Sequence, residues 1–128
     1  MDVRATVEGY LAALSAADVD RVLDHVTDDF HNEHTSSLGS SSYGRDEYRS
    51  RLPGFLAQFA GLQYEVVDTI VEGDRASVRY RLTANFDGHP LDIPGVMLFV
   101  VRDGRVARRT DVWDSMTFLR QTGSITEA

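Results

Sequence analysis

Residues 62–118 read LQYEVVDTIVEGDRASVRYRLTANFDGHPLDIPGVMLFVVRDGRVARRTDVWDSMTF. Four runs within this stretch, Leu62–Val71, Ala76–Phe86, Leu91–Val101 and Val106–Phe118, are rich in the β-branched and aromatic residues that suit strands. The breaks between them are Glu72-Gly73-Asp74, Asp87-Gly88 and Asp103-Gly104. Asp-Gly supplies the positive φ angles that a tight hairpin turn demands. Four long strands joined in this way predict an antiparallel meander.

Upstream of the meander the pattern changes from strand to helix. Val3, Val7, Tyr10, Leu11 and Leu14 recur at three- and four-residue spacing and form one apolar stripe. Ala16-Ala17-Asp18 interrupts it, and Asp18 is an N-cap for a second helix that offers Val19, Val22, Leu23 and Val26 to the core. The polar stretch from Asp28 to Gly44, with Ser36, Ser37 and Ser40-Ser41-Ser42, predicts a long loop carrying a short extended piece at Phe30–His34. A third helix is expected from about Arg45-Asp46-Glu47-Tyr48, kinked or ended at Pro53. Helices followed by a meander make an α+β domain whose helices pack on one sheet face. The 128 residues suit one domain, 1–128, with a short polar tail after residue 123.

Composition removes whole classes of chemistry. All 13 basic residues are arginine, so there is no lysine for a Schiff base or for a phosphate loop. The absence of cysteine excludes a thiol nucleophile, a disulfide and a thiolate metal site. A formal charge of −7 argues against a nucleic-acid partner, which calls for a basic patch. No apolar run is long enough to span a bilayer, and Met1-Asp2-Val3-Arg4-Ala5 lacks the apolar stretch of a secretory signal, so no membrane partner and a cytoplasmic location are expected. Carboxylate, histidine, tyrosine, arginine and hydroxyl groups are left to carry any reaction.

The order of elements resembles the nuclear-transport-factor-two-like superfamily, a cystatin-like α+β cone whose curved antiparallel sheet wraps around N-terminal helices. Tyr10–Asp20 looks like its opening helix, and Val26-Thr27-Asp28-Asp29-Phe30 like the end of its second. Arg102-Asp103-Gly104-Arg105-Val106 and Arg109-Thr110-Asp111-Val112-Trp113-Asp114 are similar to the last hairpin of the SnoaL-like polyketide cyclases and of the limonene epoxide hydrolases. Phe118-Leu119-Arg120-Gln121-Thr122-Gly123 resembles the cyclases' closing motif, so the cyclases are the nearer match. The resemblance implies a homodimer, a hydrophobic small-molecule substrate of polyketide, terpenoid or steroid type, and no cofactor.

Asp111 falls on the acid/base aspartate of the cyclases and on a triad aspartate of the epoxide hydrolases. Strand alternation puts Ala107, Arg109, Asp111 and Trp113 on one face and Val106, Arg108, Thr110, Val112 and Asp114 on the other. On a pocket face, desolvation beside Trp113 would raise the carboxyl pKa towards the range of proton transfer. On an outer face, Asp111 would be a surface carboxylate paired with Arg109 or Arg81. Asp114 is the second candidate carboxylate. Resemblance also assigns His34 and Asn32 as partners of Asp111, with Tyr10 at the tyrosine position of the ketosteroid isomerases and His34 at their base position. Cyclisation or isomerisation next to a carbonyl is the reaction implied.

Two other readings stand beside it. For epoxide opening, Arg81 would work with Asp111 on a water, although Thr83 stands where that family's first aspartate belongs, and Val78, Tyr80, Leu82, Ala84 and Phe86 form an equally good inward face. A non-catalytic ligand-binding or dimerisation domain is the third reading, supported by Thr83 and by Gly95 and Met97 where the cyclases carry polar residues. The wall of the pocket is expected from Leu11 and Leu14 on the first helix and from Leu62, Tyr64 and Val67 on the first long strand. Ile93, Met97, Trp113 and Phe118 complete it. His25, His31 and His34, with Glu33 or Asp29, lack the spacing of a closed ligand set, so no metal is expected.

Overall fold

The computed structural model describes residues 2–125, so the end of the polar tail, residues 126–128, lies outside it. Helix α1 (Val3–Ser15) and helix α2 (Val19–Asp24) begin the chain. The Asp2 carboxylate accepts from the Ala5 amide and that of Asp18 from the Arg21 amide, which satisfies N–H groups that a helix start leaves unpaired. The break between the helices is sharp because Ala17 takes a left-handed φ of 54°. The stripe Val3, Val7, Tyr10, Leu11 and Leu14 is buried, as its spacing requires.

Strands β1 (Val26–His34) and β2 (Ser42–Tyr43), helix α3 (Arg45–Gln58), strands β3 (Phe59–Glu72), β4 (Arg75–Phe86), β5 (His89–Arg102) and β6 (Arg105–Trp113), and helix α4 (Ser115–Gln121) follow. They form one six-stranded sheet in the order β2-β1-β6-β5-β4-β3. The β3–β6 meander is as expected, and its last two turns hold Asp87, Gly88, Asp103 and Gly104 at positive φ. The sheet as a whole is mixed, because β1 runs parallel to β6 with His34 opposite Asp111 and Asn32 opposite Arg109.

Several local expectations need correction. The extended piece expected at Phe30–His34 is present but longer, with strand running from Val26 through Asp28 to His34, and its end, His31–His34, pairs with β6. Val26 opens that strand and does not end α2. Helix α3 runs unbroken through Pro53, which sits on its exposed side, where water can take the freed carbonyl. The last strand stops at Trp113, not Phe118, because Asp114 caps α4 through the Thr117 amide at 3.0 Å. That cap also removes Asp114 from candidacy as a reacting carboxylate. Finally, Val106 is fully buried on the inner face. A bulge pairs Val101 with Val106 and Val100 with Arg108, so Ala107 is an extra residue and the alternation resets there.

Candidate active site

The inner face of β6 carries two charged side chains that are almost completely buried, Arg109 and Asp111, each 3% exposed. Being two residues apart, they project from the same side of the strand, and the Arg109 guanidinium donates to Asp111 Oδ2 at 2.7 Å. The Tyr80 hydroxyl, from β4, donates to the other oxygen, Oδ1, at 2.5 Å. Gly95 on β5 lies directly between these strands, opposite both Tyr80 and Trp113. A Cβ at Gly95 would stand 2.4 Å from the Tyr80 hydroxyl oxygen, so the glycine is what leaves Tyr80 room to reach Asp111.

The cation is enclosed by phenols. Arg109 donates to the Tyr10 hydroxyl at 2.9 Å and to the Tyr64 hydroxyl at 3.3 Å, with its guanidinium carbon 5.8 and 5.9 Å from those ring centres. Tyr10 in turn shares a 2.7 Å hydrogen bond with Tyr48 from α3. Burial opposes the charge of Arg109, yet the oxygens of Tyr10, Tyr64 and Asp111 outweigh it and the group titrates well above the ordinary arginine value. Burial pushes the Tyr64 phenol up to about 12, and burial with the Asp111 charge pushes Tyr80 up as well, so both remain hydrogen-bond donors. His34, at the end of β1, is pushed down to about 4 by burial and by the Arg109 charge, against the pull of Asp111. Its imidazole is therefore uncharged at neutral pH.

These groups open on a cavity of about 50 Å³. Its polar wall is His34, Tyr64, Tyr80, Arg109 and Asp111. Leu82, Ile93 and the aromatics Phe59, Trp113 and Phe118 form the rest. Phe118 comes from α4 and closes against Phe59, Phe86 and Trp113, with ring centres 6.4, 5.1 and 5.8 Å away. One water needs roughly 10–15 Å³ of such space, so the cavity has room for a few waters. A larger hollow, about 610 Å³, lies on the outer sheet face around Ile70, Leu98 and Arg108. Its charged residues Glu72, Arg75 and Arg108 are all solvent-exposed, whereas the buried Arg109 and Asp111 face the inner cavity.

The sequence matches the SnoaL-like domain over residues 7–109. The chain belongs to the SnoaL-like family. That match ends two residues before Asp111. No curated protein matches the sequence. The fold is shared with solved structures of low identity. A hypothetical protein with a ketosteroid isomerase-like fold from Catenulispora acidiphila, in complex with trimethylamine, superposes with a TM-score of 0.84 at 16% identity over 95% of this chain and 97% of its own. IdmH from Streptomyces antibioticus, a candidate polyketide cyclase, gives 0.81 at 20% identity over 96% and 99%. An NTF2-like protein of unknown function from Burkholderia pseudomallei gives 0.84 at 20% identity over 94% and 98%.

Within this SnoaL-like chain the residues singled out by sequence divide into three groups. His34, Tyr64, Ile93, Asp111, Trp113 and Phe118 meet at the cavity. Tyr10 and Asn32 are inward but do not line it: Tyr10 stands behind Arg109, and Asn32 is buried beside Arg109 across the β1–β6 pairing. Leu11, Leu14, Leu62 and Met97 belong to the hydrophobic core and also do not line the cavity. Two expectations are overturned. Arg81 faces outward, half-exposed, in a two-pronged pairing with Asp92, because Val78, Tyr80 and Leu82 take the inward positions of β4. Val67 is 44% exposed, at a bulge where Val66 and Asp68 pair with consecutive residues of β4 and Val67 is left without a partner.

Tyr80, Arg109, Leu82 and Phe59 are site residues that the sequence reading did not select. The alternation of β4 already placed Tyr80 and Leu82 on one face, and that of β6 placed Arg109 with Asp111. The histidines do not combine: His25 is tied to the Arg21 carbonyl and His31 lies against Tyr43, while His34 turns inward. Among the described residues no group of three or more His, Cys, Asp or Glu side chains is arranged to hold a metal. No helix is long and apolar enough to cross a membrane.

Proposed function

We propose that this SnoaL-like chain is a cofactor-independent enzyme that moves a proton on a hydrophobic, carbonyl-bearing small molecule, with Asp111 as general acid/base. The observation that carries the reading is a carboxylate shielded from water at the wall of an aromatic cavity. Tyr80 and Arg109 each occupy one lone pair on a different oxygen, which leaves acceptor capacity on both and holds the group in one rotamer. In the reaction the carboxylate takes a proton from the carbon next to the carbonyl, and the C–H electron pair becomes the C=C bond of an enolate. Returning the proton to a different carbon gives isomerisation. If the enolate carbon instead attacks a second carbonyl, the proton passes to the new alkoxide and a ring closes. Epoxide opening has less support, because Arg81 is turned away from Asp111. Non-catalytic ligand binding keeps the support of Thr83, and of Gly95 and Met97 where the cyclases carry polar residues. Admission of a polyketide-sized substrate requires the lining side chains to move apart, since typical ligand sites are several hundred Å³. We further infer a homodimer formed through the outer sheet face, where Ile70, Leu98 and Val112 are exposed.

The test needs no knowledge of the natural substrate. Deuterium exchange at the carbons next to the carbonyl of cyclohexanone, followed by NMR in D₂O, reports proton abstraction directly. The folded protein is expected to accelerate exchange over buffer, and Asp111→Asn to lower that acceleration roughly 10²- to 10⁴-fold. The melting curve is recorded alongside so that only folded variant is compared. Equal exchange by wild type and variant would remove Asp111 as the base.

A further inference from the structure

His34 has both of its backbone and ring positions specified. Its amide donates to the Ser41 hydroxyl at 3.0 Å, and the next amide, Thr35, donates to the Asp111 carbonyl at 3.1 Å. Gly39 lies so close that a Cβ there would stand 2.4 Å from the His34 Cβ. The ring is oriented by Trp113, whose indole N–H donates to Nδ1 at 3.2 Å. An indole nitrogen is only ever a donor, so Nδ1 must be the acceptor. A neutral imidazole that accepts at one nitrogen carries its proton on the other. Nε2 is therefore an N–H group. It has no hydrogen-bond partner among the described residues, and the ring that carries it forms part of the cavity wall.

We propose that His34 is a fixed hydrogen-bond donor through Nε2–H, which binds the carbonyl oxygen of the ligand rather than acting as a base. This rests on the reading of Asp111 as the proton-moving group. A nitrogen that already bears a proton has no lone pair with which to abstract another. It is suited to the opposite task of accepting the negative charge that collects on oxygen when Asp111 removes a proton from carbon. The cavity's formal charges, Arg109 and Asp111, cancel as a pair. The site therefore selects an uncharged ligand with an oxygen acceptor, a ketone in preference to a carboxylate or an amine. Arg109 is largely committed elsewhere: Nη1 donates to Tyr10 and Nη2 to Tyr64 and Asp111, while Nε is buried without a partner.

Two measurements test it on the intact protein. At pH 7, a long-range proton–nitrogen correlation on ¹⁵N-labelled protein is expected to show a pyridine-type Nδ1 and a pyrrole-type Nε2 for His34, assigned by its disappearance in His34→Gln. The reverse tautomer, or an imidazolium, overturns the proposal. Carbonyl-¹³C cyclohexanone is then titrated in. Its bound carbonyl resonance is expected to move downfield with wild type and with His34→Gln, whose amide N–H₂ reaches about as far as Nε2. With His34→Asn, which can still accept from Trp113 but is too short to donate into the cavity, the shift is expected to be lost and the affinity to fall about 10-fold. No downfield shift with wild type, or an equal one with His34→Asn, overturns it. Because binding and exchange are read separately, a ketone that binds with the shift but does not exchange faults Asp111 and leaves His34 standing.

Discussion

Asp111 and Arg109 form a buried ion pair, and such pairs seldom repay their desolvation as stability. Removing one member is a different matter, since it strands a charge in the core. Asp111→Asn is thus expected to lose about 3–5 kcal/mol of unfolding free energy in urea. The double change Arg109→Met with Asp111→Leu is expected to be near neutral or stabilising, and a double variant as unstable as the single one would show that the pair is structural. A second prediction concerns His34, which faces Arg109 and Asp111 of β6, Tyr64 of β3 and Tyr80 of β4 across the cavity. Its folded pKa, about 4, lies below the ordinary value of 6.5, so the unfolded chain takes up the proton first as pH falls. The stability this contributes is complete above pH 6.5, declines as pH drops towards 4, and is exhausted below, a total of about 3 kcal/mol at most. The part of the slope between pH 6.5 and 4 that His34 supplies should be missing from His34→Gln, leaving that of the lowered carboxylates Asp29, Glu33 and Asp114. Protonation also ends the bond from Trp113, the single tryptophan, so its emission should change with a midpoint near 4 rather than 6.5. At this scale Asp111 was legible because a family resemblance and strand alternation agreed on it. Arg109 was not selected because a charged residue is normally solvated, and it takes Asp111 together with the phenols of Tyr10 and Tyr64, brought from distant positions, to make its burial tolerable.

At the scale of elements, hairpin chemistry was the most legible feature. Asp87-Gly88 and Asp103-Gly104 adopt the positive φ angles that their residue types advertise, and the register of β4 with β5 and of β5 with β6 follows from them. Strand β1 was the least legible. Its inner residues Phe30, Asn32 and His34 alternate with His31 and Glu33, and two of the three inner ones are polar, so no hydrophobic period marks it. Its parallel pairing with β6 is a long-range event that no local pattern announces, yet it is what brings His34 to Asp111. The end of β6 was misread for a related reason. Trp113 and Phe118 are both apolar, but the Asp114 cap turns the chain so that Phe118 returns over the cavity from a helix. Gly95 gives a test of how strictly strand pairing builds the site. It lies opposite Tyr80, and a methyl group there would overlap the phenol by contacts of 2.4 and 2.5 Å. Gly95→Ala is therefore expected to displace the Tyr80 hydroxyl from Asp111 at a cost of about 1–3 kcal/mol. Cyclohexanone exchange should fall by about the same factor as in Tyr80→Phe. The double variant Gly95→Ala with Tyr80→Phe should lose no more than either alone, and additive losses would mean that Gly95 acts elsewhere.

For the whole molecule, the question is what covers the outer face of the sheet. The inner face is closed by helices α1 to α3, while Ile70, Leu98 and Val112 on β3, β5 and β6 remain 64, 48 and 45% exposed. Scattered apolar residues on a surface need no explanation, but Ile70 and Leu98 line one hollow together with Val100. A second copy supplies a surface of the same shape by two-fold symmetry, the commonest arrangement of soluble oligomers. Each copy carries a formal charge of −7, so association works against repulsion that salt screens. The expected outcome is a light-scattering mass of twice 14.3 kDa, with the dimer favoured as ionic strength rises. Leu98→Glu places two further like charges near the symmetry axis and is expected to give the monomer mass with an unchanged near-UV spectrum. The inner cavity lies on the other side of the sheet from Leu98, so the monomer should still bind cyclohexanone. A wild type that stays monomeric at micromolar concentration and high salt would reject the interface, and binding lost together with the dimer would mean that the cavity's walls depend on the partner.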